Sequence, residues 1–354
     1  MRRTLLIALA LCLFVGTSGI RGQSPEVSDK HTPVVAVLPF ADYTDRQEAK
    51  VIVSLLEEEF ELAGFSVVRS AQIRSTLREY RIRTAGMIDA ANAKLVADRW
   101  RADFLLLGSL DFFRDDTVPE AAFSVRLLDA KTLRIVWARS VAATGADHTK
   151  LLGLGRITGM PALLRELVDE ATREIRESNF LSRAGEMPDS TQRKAAIVIF
   201  DNLSTSRRAG EIVSSVIIDA LIAEGIEVLE PGIVIEAFRS RNLHARGGIS
   251  LEVLQLLRAE HDIDFVLTGT VDTFHPGRPS AGRSFPEVQL GGRLVDAESG
   301  LVIAARERHQ KGGDSESMLG MGATRAIGDL CSDVHKHLVD ELLSDSRTNY
   351  ANRR

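Results

Sequence analysis

Val35-Ala36-Val37-Leu38-Pro39-Phe40 returns later in the chain as Ala196-Ile197-Val198-Ile199-Phe200, with Phe200 lying 160 residues after Phe40. Further matches follow this pair in the same order along both halves of the chain. Ala63-Gly64-Phe65 answers to Glu224-Gly225-Ile226 at a spacing of 161. Ala102-Asp103-Phe104-Leu105-Leu106-Leu107-Gly108 answers to Ile263-Asp264-Phe265-Val266-Leu267-Thr268-Gly269, again at 161. Arg126-Leu127-Leu128-Asp129-Ala130 pairs with Arg293-Leu294-Val295-Asp296-Ala297, and Leu152-Gly153-Leu154-Gly155 with Leu319-Gly320-Met321-Gly322, both at 167. A single insertion near Pro276–Pro286 accounts for the step. Ordered self-similarity of this kind marks a duplicated domain.

Each copy alternates strand-like and helix-like segments. Val34–Phe40 and Phe104–Leu110 are apolar runs without polar alternation, as strands covered on both faces require. They are expected to be central neighbours, as are Ile197–Phe200 and Phe265–Val271. A helix is expected from Arg46 to Ala63, capped by Thr44 or Asp45, with Val51, Leu55 and Leu62 near one face and Gly64 ending it. Ser66–Val68 reads as a strand, Ala71–Tyr80 and Ile88–Trp100 as helices. Phe123–Asp129 with Arg134–Ala142 reads as a hairpin, and a last helix starts near Pro161. The second copy repeats this with helices Glu211–Ala223, near Pro231, near Ser250 and Ala323–Leu343, and a hairpin through Val288–Val295 and Leu301–Arg308.

The fold class is therefore α/β in the broad sense (α+β): two tandem mixed sheets packed with helices, in the order β-α-β-α-α-β-β-β-α. The organisation expected is a signal peptide over 1–22, a first module over 33–176, a linker over 177–194, a second module over 195–343 and a polar tail over 344–354. Each module has its own sheet, and Gly64, Gly108 and Gly155 should superimpose on Gly225, Gly269 and Gly322.

The chain of 354 residues is 44% hydrophobic and 26% charged, with 44 Lys+Arg against 49 Asp+Glu. Those values describe globular domains and give no electrostatic reason to expect nucleic acid as a partner. Arg2 and Arg3 precede an apolar run from Leu5 to Val15 and the small residues Gly16, Thr17, Ser18 and Gly19. That is the layout of a secretory signal peptide, and the run is too short to span a bilayer. Cys12 lies within the run, after Leu11, and does not fit a lipidation signal. Cys331 is then the one cysteine of the mature chain, so no intrachain disulfide is expected.

No P-loop, H-E-x-x-H, G-x-S-x-G or C-x-x-C pattern is present, so no catalytic, metal or cofactor residue is assigned. The glycine loops at Gly153, Gly155, Gly320 and Gly322 read as structural turns rather than phosphate cradles. Cys331 and His335 are spaced to share a metal, yet Ile327, Leu330, Val334 and Leu338 mark the buried face; a buried thiol with surface histidines is expected. Arg74, Arg78 and Arg81 fall on one helical face, with Arg239 opposite Arg78 in the second copy, and form the candidate partner-binding residues. Asp103, Asp264, Asp129 and Asp296 are expected to bond backbone amides at strand entries and hairpin turns.

The opening Val35–Phe40 strand, the Ala102–Gly108 strand, the Leu127–Ala130 turn and the L-G-x-G loop together resemble the bacterial envelope family that contains the curli-secretion channel CsgG. Related modules occur in FlgO, in the amino-terminal domain of TolB and in outer-membrane lipoproteins that activate penicillin-binding proteins. The resemblance implies a non-enzymatic periplasmic protein that binds or scaffolds an envelope assembly. Its partners would be envelope proteins, itself, or the inner surface of the outer membrane. Alternatives are an outer-membrane secretion component and a nucleotide- or phosphate-binding protein or hydrolase. The chain departs from the channel members in lacking their lipobox and obvious membrane hairpins.

Overall fold

The computed structural model describes residues 32–44, 48–83, 86–147, 157–177, 180, 192–243, 248–277, 284–316 and 322–351. In the first repeat, β1 (Val34–Val37), β2 (Ala41–Asp42) and α1 (Ala49–Leu62) lead to β3 (Ser66–Val68), α2 (Ser70–Glu79) and α3 (Ala90–Trp100). Then follow β4 (Phe104–Arg114), β5 (Glu120–Asp129), β6 (Arg134–Thr144) and α4 (Met160–Glu177). The second repeat runs β7 (Lys194–Ile197), β8 (Asp201–Asn202), α5 (Ala209–Ala223), β9 (Glu227–Leu229), α6 (Pro231–Ser240) and α7 (Leu251–His261). It closes with β10 (Phe265–His275), β11 (Glu287–Asp296), β12 (Val302–Lys311) and α8 (Ile327–Ala351).

The repeats pair their strands alike. β1 lies parallel to β3 and β4, with Val35 opposite Phe104; β7 lies parallel to β9 and β10, with Ala195 opposite Phe265. The register slips between Leu110 and Phe112 recur between Val271 and Thr273. Left-handed turns recur as well: Arg81 (φ 55) with Asn242 (φ 54), and Arg101 (φ 52) with Asp262 (φ 55). Asp103 accepts from the Val34 amide at 2.9 Å, and Asp264 from the Lys194 amide at 2.7 Å. Asp129 and Asp296 likewise accept backbone amides in their hairpin turns. The roles read for these four aspartates hold.

The two sheets are not separate. β6 pairs antiparallel with β9, Arg134 against Leu229 and Ile135 against Val228, giving one sheet in the order β12-β11-β10-β7-β9-β6-β5-β4-β1-β3. Residues Thr32–Arg354 form a single compact unit. The expectation of one sheet per module is therefore corrected. The physical reason is that β6 and β9 would each be an edge strand with unpaired backbone groups in a separate sheet, and joining them removes two edges from the ten-strand path, which ends at β12 and β3.

Helices cover this sheet in two sets. α1 and α4 pack with Val35, Leu106, Phe123 and Trp137 on one side, while α2 and α3 cover the opposite face of β1 and β4. α6 and α7 cover Ala196, Val198 and Val266. α5 and α8 sit at the middle and serve both repeats, packing on Leu267, Leu290 and Leu294 of the second and against β5 and β6 of the first. α5 is buried nearly all round, whereas α1 buries a single stripe of Ala49, Ile52, Val53, Leu56 and Phe60.

Several local expectations change. Val51 and Leu62 are exposed and Leu55 is half-buried, so the buried stripe of α1 lies one position away from the one read. Thr44 bonds Asp42 instead of capping the helix, and Asp45 lies outside the described residues. β7 ends at Ile197, earlier than the Ile197–Phe200 strand expected. Gly108 and Gly269 lie inside strands rather than at their exits. A Cβ at Gly108 would come within 2.4 Å of the Phe40 ring, and one at Gly269 within 2.4 Å of the Phe200 ring. The Phe40–Phe200 match and the glycine match thus have one cause, an aromatic ring lying flat on a strand. α8 runs on to Ala351, through most of the expected tail, because Leu342, Leu343 and Ser346 are still buried.

Candidate functional site

The polar groups with the most elaborate surroundings lie where the repeats meet. Arg126 of β5 donates from Nε to Glu230 Oε2 at 2.7 Å and from Nη2 to Glu230 Oε1 at 2.7 Å. Glu230, fully buried, caps α6 and also accepts from the Ile88 amide at 3.3 Å. Arg126 Nη2 further donates to the Gly86 carbonyl at 2.6 Å. Burial opposes the charge of Arg126, but Glu230 holds its pKa above the ordinary value. Arg134–Glu227 and Arg139–Asp219 are further ion pairs between repeats. Nothing in the spacing of Arg126 and Glu230 signals this contact, since 104 residues separate them. An arginine in a buried strand and a glutamate before a proline were the available hints.

Beside this pair lies Asp111 of β4, which accepts from Ser109 Oγ at 2.5 Å and Ser124 Oγ at 2.6 Å. Burial pushes its pKa up to about 7, although the two hydroxyls and Arg126 pull the other way. The folded protein thus keeps a proton here that the unfolded chain gives up near pH ~4. The group's contribution to stability is complete below that pH and is lost as the pH rises through about 7. Asp111→Asn, whose amide stays neutral, is expected to raise the urea midpoint at pH 8 and to change it far less at pH 4. Equal effects at both pH values would contradict this assignment.

A cavity of about 10 Å³ opens between Asp111, Ser140 and the α5 and α8 residues Ile212, Ile327 and Cys331. That is room for about one water, not for a ligand. Cys331 is buried, as expected, and burial raises its pKa. His335, read as a surface residue, is instead fully buried, its Nδ1 turned to the Cys331 carbonyl and its pKa pushed down to about 4. Four residues along a helix return to nearly the same face, so it joins Leu338 in the core. Among the described residues, no group of three metal-ligating side chains comes together.

Arg74 and Arg78 share the outer side of α2. Arg81 does not, because it follows the helix in a left-handed turn (φ 55). Arg239 is spent on Glu236 at 2.8 Å. Gly153, Gly155 and Gly320 lie outside the described residues, and Gly322 has a left-handed φ of 85.

A second surface emerges from comparing the repeats. The face of β5 and β6 carrying Ala122, Ser124, Ser140 and Ala142 is covered by α5 and α8 of the second repeat. The equivalent face of β10–β12, carrying Thr270, Asp272, Gln289, Arg293 and Glu307, is open and forms a groove of about 540 Å³. One face of the fold is thus seen both covered and bare in a single chain.

No family model matches this chain, and no curated protein matches it in sequence. Solved structures match over part of it. PelC from Paraburkholderia phytofirmans, a dodecamer, is 18% identical with a TM-score of 0.30, over 44% of this chain and 91% of its own. Lipoprotein GNA1162 from Neisseria meningitidis is 20% identical with a TM-score of 0.31, over 42% of this chain and 99% of its own. The C-terminal domain of LpoB from Salmonella enterica is 10% identical with a TM-score of 0.26, over 34% and 86%. Less than half of this chain spans each of these structures almost whole. They do not single out the curli-channel branch of the resemblance, and at these scores they carry no claim about activity.

Proposed function

We propose that this chain is a non-catalytic periplasmic scaffold of a bacterial envelope assembly, which docks a partner protein on the open face of β10–β12. The observation that carries the reading is the pair of equivalent faces. In the first repeat this face receives two helices, so its shape suits a protein surface, and the second repeat presents the same strands uncovered. The leader at residues 1–22 supports export, and among the described residues no helix is long and apolar enough to cross a membrane. A photo-crosslinking residue at Thr270 or Gln289, in cells, is expected to give a discrete heavier species absent when the probe sits at Glu260 on α7. Recovery of the free chain alone from both face positions would overturn the reading.

Three differences disfavour another copy of this chain on that face by repetition of the internal junction. Gly232, whose Cβ would lie 2.2 Å from the Ile88 carbonyl, is replaced in the first repeat by Ala71. Gly328, whose Cβ would lie 2.3 Å from that of Ala142, is replaced by Pro161. The Arg126–Glu230 pair becomes Arg293 facing Arg69, two like charges. The partner is then a different protein.

A further inference from the structure

The α2–α3 end of the first repeat differs from its counterpart in charge, although the helices of each pair have the same lengths. Residues 69–101 hold eight Lys/Arg against three Asp/Glu, while the equivalent 230–262 hold four against five. In the second repeat the three arginines among the described residues are each paired with a carboxylate: Arg239 with Glu236, Arg241 with Glu252 and Arg258 with Glu298. In the first, Arg78, Arg81, Arg83, Arg99 and Arg101 are exposed and make no ion pair among the described residues. The bond from Trp100 Nε1 to Thr76 Oγ1 at 3.1 Å ties the end of α3 to the last turns of α2, which gathers these arginines at one end of the molecule. Tyr80, 46% exposed, stands among them, and Trp100 is half-buried beside Arg99. Helix dipoles favour a cation in a last turn, but that accounts for one arginine per helix and applies equally to the second repeat, where the arginines are paired.

We infer that this end of the first repeat is a docking surface for an anionic phospholipid bilayer. A cluster of exposed guanidinium groups without ion pairs matches a layer of phosphates, to which arginine binds in bidentate fashion. An amphipathic tyrosine among the cations suits the headgroup level, where aromatic rings with a polar tip collect. Two ends of one protein then have separate tasks: the first repeat rests on a membrane surface and the second offers its open sheet face. The inference draws only the compartment from the scaffold reading.

The test uses purified residues 32–354, the compact unit, so that the apolar leader adds no membrane affinity of its own. Sedimentation with phosphatidylglycerol–phosphatidylethanolamine vesicles is expected, with none on phosphatidylcholine alone, and it should weaken as salt is raised. Each basic residue at an anionic surface contributes roughly fivefold in partitioning. Arg78→Glu/Arg83→Glu/Arg99→Glu is therefore expected to lose at least about 100-fold, and Arg239→Glu/Arg241→Glu/Arg258→Glu to lose little. Arg78→Gln/Arg83→Gln, a milder change, should lose an intermediate amount while keeping the wild-type urea midpoint. No sedimentation with anionic vesicles, equal binding to neutral ones, or equal loss in both triple variants would each overturn the inference. Because no partner protein is present, these outcomes leave the cross-linking result on β10–β12 independent.

Discussion

Glu230→Ala is expected to unfold in urea with about 3–5 kcal/mol less stability than the wild type, because it leaves Arg126 charged and unpaired in the interior. The geometry leaves little room for relief. Both residues are below a tenth exposed, Glu230 entirely buried, and two parallel bonds of 2.7 Å join them. Water cannot replace the carboxylate without opening the junction, and Glu230 also holds the Ile88 amide across it. Arg126→Met/Glu230→Gln should recover most of the loss, since it removes the stranded charge, keeps an acceptor for the amide and leaves similar volume. The same pair of variants separates two views of the junction. If the halves fold as one cooperative unit, Glu230→Ala lowers a single transition. A split into two transitions, one unchanged, would show that the halves are energetically separate despite the shared sheet.

The contrast between what the chain reveals and what it hides follows from the range of each interaction. Strands, helices and the duplication were readable because they rest on local periodicity and on residues that recur, such as Phe40 with Phe200 and Asp103 with Asp264. The contacts of these four residues lie within one repeat and recur in the other: Phe40 lies on Gly108 as Phe200 lies on Gly269, and Asp103 holds the Val34 amide as Asp264 holds that of Lys194. The shared sheet was not readable, because β6 and β9 meet through backbone bonds that any sequence can make. The charged junction was hidden for the opposite reason. Arg126 and Glu230 form a pair only once, and a search for repetition sees Arg126 with Arg293 and passes over the glutamate. His335 was misplaced on its polarity, although it stands four residues after the buried Cys331, a spacing that returns it to the same face of the helix. The arginines of α2 were found by spacing. What their spacing could not show is that Arg239, the one equivalent arginine, is paired with Glu236 while Arg78 has no ion pair among the described residues.

Gly232→Ala is expected to destabilise the protein by at least about 1–3 kcal/mol, the range for forcing atoms into a packed interior. Its Cβ would lie 2.2 Å from the Ile88 carbonyl oxygen, 2.4 Å from its carbon and 2.6 Å from its nitrogen, all backbone atoms that no rotamer change can move. Relief requires α6 to lift away, which stretches the bonds from the Ile88 amide and Arg126 to Glu230, two residues before the glycine. The effect should therefore fall short of adding to that of Glu230→Ala when both are combined, because the first change has already loosened what the second would strain. The reverse substitution, Ala71→Gly, removes a methyl from the equivalent outer position, where no partner repeat lies, and should cost only its helix propensity, about 1 kcal/mol or less. Sedimentation velocity completes the comparison. The wild type is expected to stay monomeric to high concentration, as Ala71, Pro161 and the Arg69–Arg293 mismatch block a third repeat from joining at β12 or β3. A head-to-tail series linked by cysteines placed at Val302 and Val67, which would face each other if the junction recurred, would instead show that those three differences are tolerated.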